Sequence, residues 1–472
     1  MFNKARVGRD RSMDMTQGAL LPKIIRFTIP IFLMGTLQLF YNAADVVVVG
    51  RWGSDYSLAA VSSTGALINL IVNVFMGLSV GTSVVVARHF GAGRMKDVSE
   101  TVHTSIAVAG ICGVVVGVFG FFTARTLLEL MDSPTEVIGL SALYVKIYFA
   151  GMPFNMLYNF GAAALRAVGD TKRPLYYLSF AGIINVLLNL FFVIVLHMDV
   201  AGVALATIIS QAVSAALVIM SLIHSDGAIK LYLKKIRVHK DKLISIISVG
   251  LPAGLQGSIF SVSNVIIQSS INFFGDAAMA GSGAAANIEG FVYMAMNSVY
   301  QAAITFTSQN FGAKNMKRIK AVAFECMGLV TIIGVGLGFV IKMFDEPLLS
   351  IYTDVPTEIG FGVTRMTVIL FTYFLDGWMD VMVGMLRGIG HSVLPTIMTI
   401  AFVCGFRMIW IFTFFAQYKI SVDNDPTKSL TVLFLSYPIS WIMATTAHMI
   451  SFIIMYAKEK KKLAAETEPV SD

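Results

Sequence analysis

Four carboxylates stand inside apolar runs. Asp45 lies in "QLFYNAADVVVV", Glu289 in "ANIEGFVYMAM", and Asp376 and Asp380 in "FLDGWMDVMVG". An acid in such surroundings can carry a proton or hold a cation. Placing it at the centre of a bilayer costs about 2.5–3.5 kcal/mol on insertion scales, so each is a functional position by default. Asp376 and Asp380 are one helical turn apart and share a face. Arg407, in another apolar run, is able to neutralise one acid. Uncharged polar groups stand nearby in sequence: Gln38, Tyr41 and Asn42 precede Asp45, and Asn155 and Asn159 are again one turn apart.

Other chemistries find no support. The three cysteines (Cys112, Cys326, Cys404) stand singly in separate apolar runs, with no CxxC and no framework for zinc or a disulfide. The seven histidines are scattered. "FGAGRMK" at 90–96 is glycine-rich but lacks the preceding strand and the GK[ST] of a phosphate loop. "DGWMD" invites comparison with metal-dependent membrane prenyltransferases, but their second Asp-rich motif is missing. The chain is therefore not expected to be an enzyme or to carry a cofactor, and any pumping must draw on an ion gradient.

The elements that hold these residues are membrane helices. Of 472 residues 56% are hydrophobic and 13% charged, and the mean hydropathy is +0.75. Charged residues approach a quarter of a soluble domain. Runs of twenty or more apolar residues match a roughly 30 Å hydrocarbon core crossed as helix. Twelve spans are predicted, near 22–50, 57–87, 98–123, 136–164, 174–196, 199–223, 243–273, 279–308, 318–342, 358–385, 393–416 and 430–457. The charged segment 1–21 leads straight into a full-length span, as an uncleaved anchor does.

Basic residues set the orientation. With the N-terminus inside, 27 of the 35 lysines and arginines fall on the cytoplasmic side. Both termini are then expected in the cytoplasm, in a multi-pass protein of the inner or plasma membrane. The net charge of +7 is read as topology rather than as nucleic-acid binding.

A repeat organises the spans. "LRAVGDTKRP" at 165–174 returns as "LRGIGHSVLP" at 386–395, and "FGAGRMK" returns as "FGAKNMK" at 311–317, both 221 residues later. Pro30, Gly35 and Asn42 echo Pro252, Gly257 and Asn264 after a one-residue slip. Each turn combines Gly for unusual backbone angles, Pro to start a helix and Arg as an interfacial anchor. The chain therefore reads as an N-lobe (1–223), a basic cytoplasmic linker (224–242), a C-lobe (243–457) and a cytoplasmic tail (458–472). Duplicated halves around a midplane cavity are a recurring build of alternating-access carriers.

The two paired turns, with the first-span pattern "IPIFLMGTLQLFYNAADVVVVG", resemble the MATE (multidrug and toxic compound extrusion) family, in its DinF-like bacterial branch, over essentially the whole chain. The resemblance implies an all-α fold of twelve helices in two pseudo-symmetric six-helix lobes. It implies a monomeric antiporter that expels cationic amphipathic molecules in exchange for protons or sodium. It also implies a coupling site at Asp45, Asn185, Asn189 and Thr207. Asn185 and Asn189 share one helix face. Asn189 departs from the branch, which has an aspartate there; a proton needs one carboxylate only, whereas sodium at Asp45 would lose a compensating charge. Gln38, Tyr41, Asn42, Asn155 and Asn159 fall where the family's N-lobe cavity is lined, and Asp376, with Asp380 and Glu289, where the NorM-like branch keeps C-lobe acids. That branch's glutamate in the seventh span is replaced by Phe260. A lipid-linked oligosaccharide flippase of the same superfamily is the alternative. It would need a cationic central cavity, whereas the intramembrane charges here lean acidic.

Overall fold

The computed structural model describes residues 12–54, 56–131, 134–421 and 425–466. Lys4, Arg6, Arg9 and Arg11 of the basic N-terminal segment, and the end of the predicted tail, lie outside the described residues. Every described element is helical. Backbone polar groups have no water to bond inside a bilayer, so an apolar chain satisfies them within its own helices.

The chain divides into two compact units: residues 1–15 with 29–254, and 16–28 with 255–472. The first holds most of α1 (Leu20–Trp52), then α2 (Ser57–Gly91), α3 (Met95–Leu130), α4 (Thr135–Ala150), α5 (Met152–Ala167), α6 (Lys172–Leu190), α7 (Asp199–Ile223) and the start of α8 (Lys240–Asn272). Helix α3 packs on α4 and α5, α5 also on α2 and α7, and α6 on α7. The predicted linker is part of this unit. Ile229 and Leu231 join the apolar cluster of Val98, Val102 and Ile106 on α3. The Tyr232 amide donates to His103 Nε2 at 3.0 Å, the His239 amide to Thr104 Oγ1 at 3.1 Å, and Lys242 to Asp97 at 2.6 Å.

The second unit holds the rest of α8, α9 (Asp276–Gly312), α10 (Met316–Met343), the short α11 (Asp345–Leu349), α12 (Pro356–Ile369), α13 (Tyr373–Gly388), α14 (Val393–Thr399), α15 (Phe406–Trp410), α16 (Ala416–Ser421) and α17 (Pro426–Ala465). Helix α9 packs on α10, α12 and α13, and α17 on α12 and α13. Residues 16–28 go with this unit because Arg318 donates to the carbonyls of Gln17 at 3.0 Å and Gly18 at 2.8 Å, and Phe27 meets Phe306 edge-on.

Among the described residues ten spans are long and apolar enough to cross a membrane, or eleven when α4 and α5, bent by 47°, count as one. The predicted eighth span, 279–308, is a continuous 37-residue helix, α9, but is not among them. Its composition explains this. Alanine, glycine and serine replace bulky apolar side chains so that backbones approach closely. A Cβ at Gly281 would stand 2.0 Å from the Glu358 carbonyl of α12.

The repeat recurs as local geometry. In the first unit Gly169 has φ +91, and amides 169 and 170 donate to the carbonyls of Arg166 and Leu165 at 2.8 and 3.0 Å. In the second, Gly390 has φ +98, with the matching bonds at 2.9 Å to Arg387 and Leu386. The "FGA" turns also superpose in pattern, with Gly93 at φ +70 and Lys314 at φ +58. The fourth span of each copy is interrupted at the same point, by the bend at Gly151 and by a 3-10 turn over Leu370–Thr372. A π-helical stretch falls late in the fifth span of each: Phe191–Val195 closes the first, and Ile411–Phe415 precedes α16 in the second.

Candidate functional site

Asp45 is half-buried on α1 and meets α6 and α7. Asn189 Nδ2 donates a short hydrogen bond to one carboxylate oxygen, and Thr207 Oγ1 lies 3.5 Å from the other. The same Nδ2 lies 3.3 Å from Asn185 Oδ1, and Asn185 Nδ2 lies 3.4 Å from Thr207 Oγ1. All four expected residues therefore converge in one cluster. The i, i+4 spacing on α6 makes this possible, since both amides leave one face. No Lys, Arg or His pairs with Asp45 among the described residues. The Asn189 side chain is fully buried, and its Oδ1 accepts no hydrogen bond among the described residues. An unsatisfied buried acceptor is costly, so this oxygen favours a donor or a cation.

The remaining first-unit residues form a looser set. Asn159 Nδ2 donates to Asn155 Oδ1 at 3.0 Å and to its carbonyl at 2.8 Å. Tyr41 Oη reaches the Ser179 carbonyl at 3.3 Å. Its ring lies so close to α6 that a Cβ at Gly182 would stand 1.7 Å from Tyr41 Cζ. Gln38 and Asn42 are exposed on α1.

In the second unit the predicted acids are answered by different cations. Glu289 on α9 is buried and gripped by Arg365 of α12, with Nε at 3.1 Å from Oε1 and Nη2 at 2.8 Å from Oε2. The guanidinium carbon sits 5.5 Å above the Phe434 ring. Asp376 is buried on α13 and feels the charges of Asp380 and Arg407. Arg407 is almost fully buried, lying 4.1 Å over the Tyr437 ring and 5.7 Å from Phe260. Its Nε donates to Ser440 at 3.0 Å. Both of its Nη atoms lack a hydrogen-bond partner among the described residues. Phe260, which stands where the NorM-like branch keeps a glutamate, thus faces a cation.

Arg387 of the repeated turn is not an exposed anchor, as its interfacial position predicts. It is buried and donates to Tyr300 Oη at 2.6 Å and Gln256 Oε1 at 2.9 Å, because α13 turns it toward α8 and α9. Arg365 and Tyr437 were missed as site residues. Arg365 was visible as a cation within a span, but its partner is 76 positions away, a separation with no periodic signal.

A duplicated helical bundle with polar clusters buried in its spans is the build of a membrane carrier. The family model described as MatE matches residues 30–191 and again 252–413, so the chain belongs to the MATE family of multidrug efflux transporters. The two matches are themselves 222 residues apart, the offset of the Pro30 and Pro252 echo. The chain is 29% identical over 408 residues to the probable multidrug resistance protein YoeA of Bacillus subtilis strain 168, covering 83% of this chain and 87% of that one. It is 22% identical over 380 residues to the multidrug export protein MepA of Staphylococcus saprophyticus, covering 80% and 83%. Its fold matches the outward-facing conformation of a multidrug resistance MATE family transporter of the MOP superfamily with a TM-score of 0.87, at 21% identity over 96% of this chain and 100% of that one.

Proposed function

We propose that the protein exports cationic amphipathic molecules by alternating access, in exchange for a proton or sodium ion carried at Asp45. The observation that carries this reading is the company Asp45 keeps. Its partners among the described residues are an amide and a hydroxyl, both neutral. A carboxylate without a cationic partner has an unmet demand for positive charge, which a transported cation supplies and then takes away. The oxygens of Asn185, Asn189 and Thr207 stand ready as additional ligands for sodium or as acceptors around a protonated acid. Arg365 already answers Glu289, so that acid has less need of a transported ion. Gln38, Tyr41, Asn42, Asn155 and Asn159 contribute the substrate-facing polar groups of the first unit, with Asp376 and Asp380 available in the second.

Uptake of a fluorescent cation into inverted vesicles tests this, with a proton or a sodium gradient imposed separately. One gradient should drive uptake in the wild type, and Asp45→Asn should remove that dependence while leaving protein levels unchanged. Gradient-driven uptake by Asp45→Asn at the wild-type rate, with loss in Asp376→Asn, would move coupling to the second unit.

A further inference from the structure

Between the second turn of α10 and the last turns of α17 lies an open groove of about 460 Å³. Its wall on α17 is graded. Phe452 and Ile453 come first, then Tyr456 one turn on, then Lys460 and Lys461 one turn beyond, while Lys320 faces them from α10. The i, i+4, i+8 spacing keeps these residues on one helix face. At 1.5 Å per residue the apolar and basic ends are about 12 Å apart along the axis. That is a hydrocarbon-to-headgroup profile written on one wall. Tyr456 fixes the floor, its Oη donating to the Met316 carbonyl at 2.9 Å, and Lys320 Nζ sits 5.2 Å over its ring.

The three lysines make no ion pair among the described residues. The neighbouring acids are engaged elsewhere: Glu459 of α17 faces His391 at 3.2 Å, and Glu466, just past the end of α17, faces Lys314 at 3.2 Å. Three uncompensated ammonium groups over an apolar, laterally exposed floor (Ile453 is 64% exposed) suit one class of occupant. We infer that this groove binds an anionic phospholipid, its phosphate among Lys320, Lys460 and Lys461 and an acyl chain against Phe452 and Ile453. Basic pockets at the cytoplasmic ends of membrane helices recognise anionic headgroups in this way. The site lies on helices other than those carrying Asp45.

The test is native mass spectrometry of the full chain in detergent, titrated with dioleoyl-phosphatidylglycerol or dioleoyl-phosphatidylcholine. The first phosphatidylglycerol should bind more tightly than phosphatidylcholine. Each lysine-to-glutamine change should weaken it about fivefold, and Lys320→Gln, Lys460→Gln and Lys461→Gln together on the order of a hundredfold. Phosphatidylcholine binding should be unchanged, which also reports that the variant is folded. If the triple variant does not fold, Lys320→Gln alone must still show the fivefold loss. Retention of phosphatidylglycerol within twofold by the triple variant overturns the inference. So does equal competition by inorganic phosphate at the same concentration, which would make this a free-anion site.

Discussion

In the first unit a carboxylate is held by asparagines and a threonine; in the second, Glu289 is held by a guanidinium and Asp376 lies within the field of another. Both sit on helices in the same order, joined by the same turns. The scaffold therefore does not dictate how an intramembrane charge is answered; the residues placed on it do. Glu289 and Arg365 satisfy one another. Removing one partner of such a pair is expensive, whereas removing both is often tolerated. Asp45 has no such partner, so its environment changes when a cation arrives or leaves. Stability and transport should separate between the two units.

The largest effect is expected at Asp45. Asp45→Asn should abolish gradient-driven uptake in inverted vesicles, with thermal unfolding in detergent close to wild type. Next, Arg365→Met should destabilise the protein by about 3–5 kcal/mol by leaving Glu289 buried and unpaired. Adding Glu289→Gln should restore most of it. Equal stability of the single and double variants would show that the pair is not a closed structural unit. Third, Asn189→Asp puts a second carboxylate within hydrogen-bond reach of Asp45, and like charges at that distance require a cation or a proton between them. Uptake by this variant should gain a dependence on sodium; unchanged ion dependence would mean that Asn189 does not face the coupling ion. The smallest effects lie in the repeated "FGA" turns. Gly93→Ala should cost about 1 kcal/mol, since φ is positive there, and Lys314→Gly should gain up to about 1 kcal/mol for the same reason. Chemical unfolding of the purified protein reads both, and shifts of the same sign would refute the comparison.

Within the first site only the pairing of the two asparagines is local; their meeting with Asp45, 144 positions away, and with Thr207 came from the family resemblance. Asn185 and Asn189 are four residues apart, and that spacing alone puts both amides on one face. The paired turns were legible because glycine at positive φ and proline in a first helical turn leave sequence marks. The Glu289–Arg365 contact was not, because helix-to-helix pairing has no period along the chain. Helix α9 was placed correctly but its packing was not, since glycine and alanine lower apparent apolarity while raising contact. The break at Leu370–Thr372 falls inside an apolar run that carries no mark, whereas Gly151 and Pro153 marked the break in the first copy and went unread.

The π-helical stretch Phe191–Val195 begins two residues after Asn189. A π turn holds one residue more than the α ladder needs, so it stores a step of winding. Returning that residue to the ladder, with the far end of the span held, would rotate Asn185 and Asn189 by about 100° about their own axis, one residue's share of an α turn. A rotation of that size would swing both amides off Asp45 while leaving the span straight. The span thereby holds a torsional release for the carboxylate, placed next to the residues it would turn.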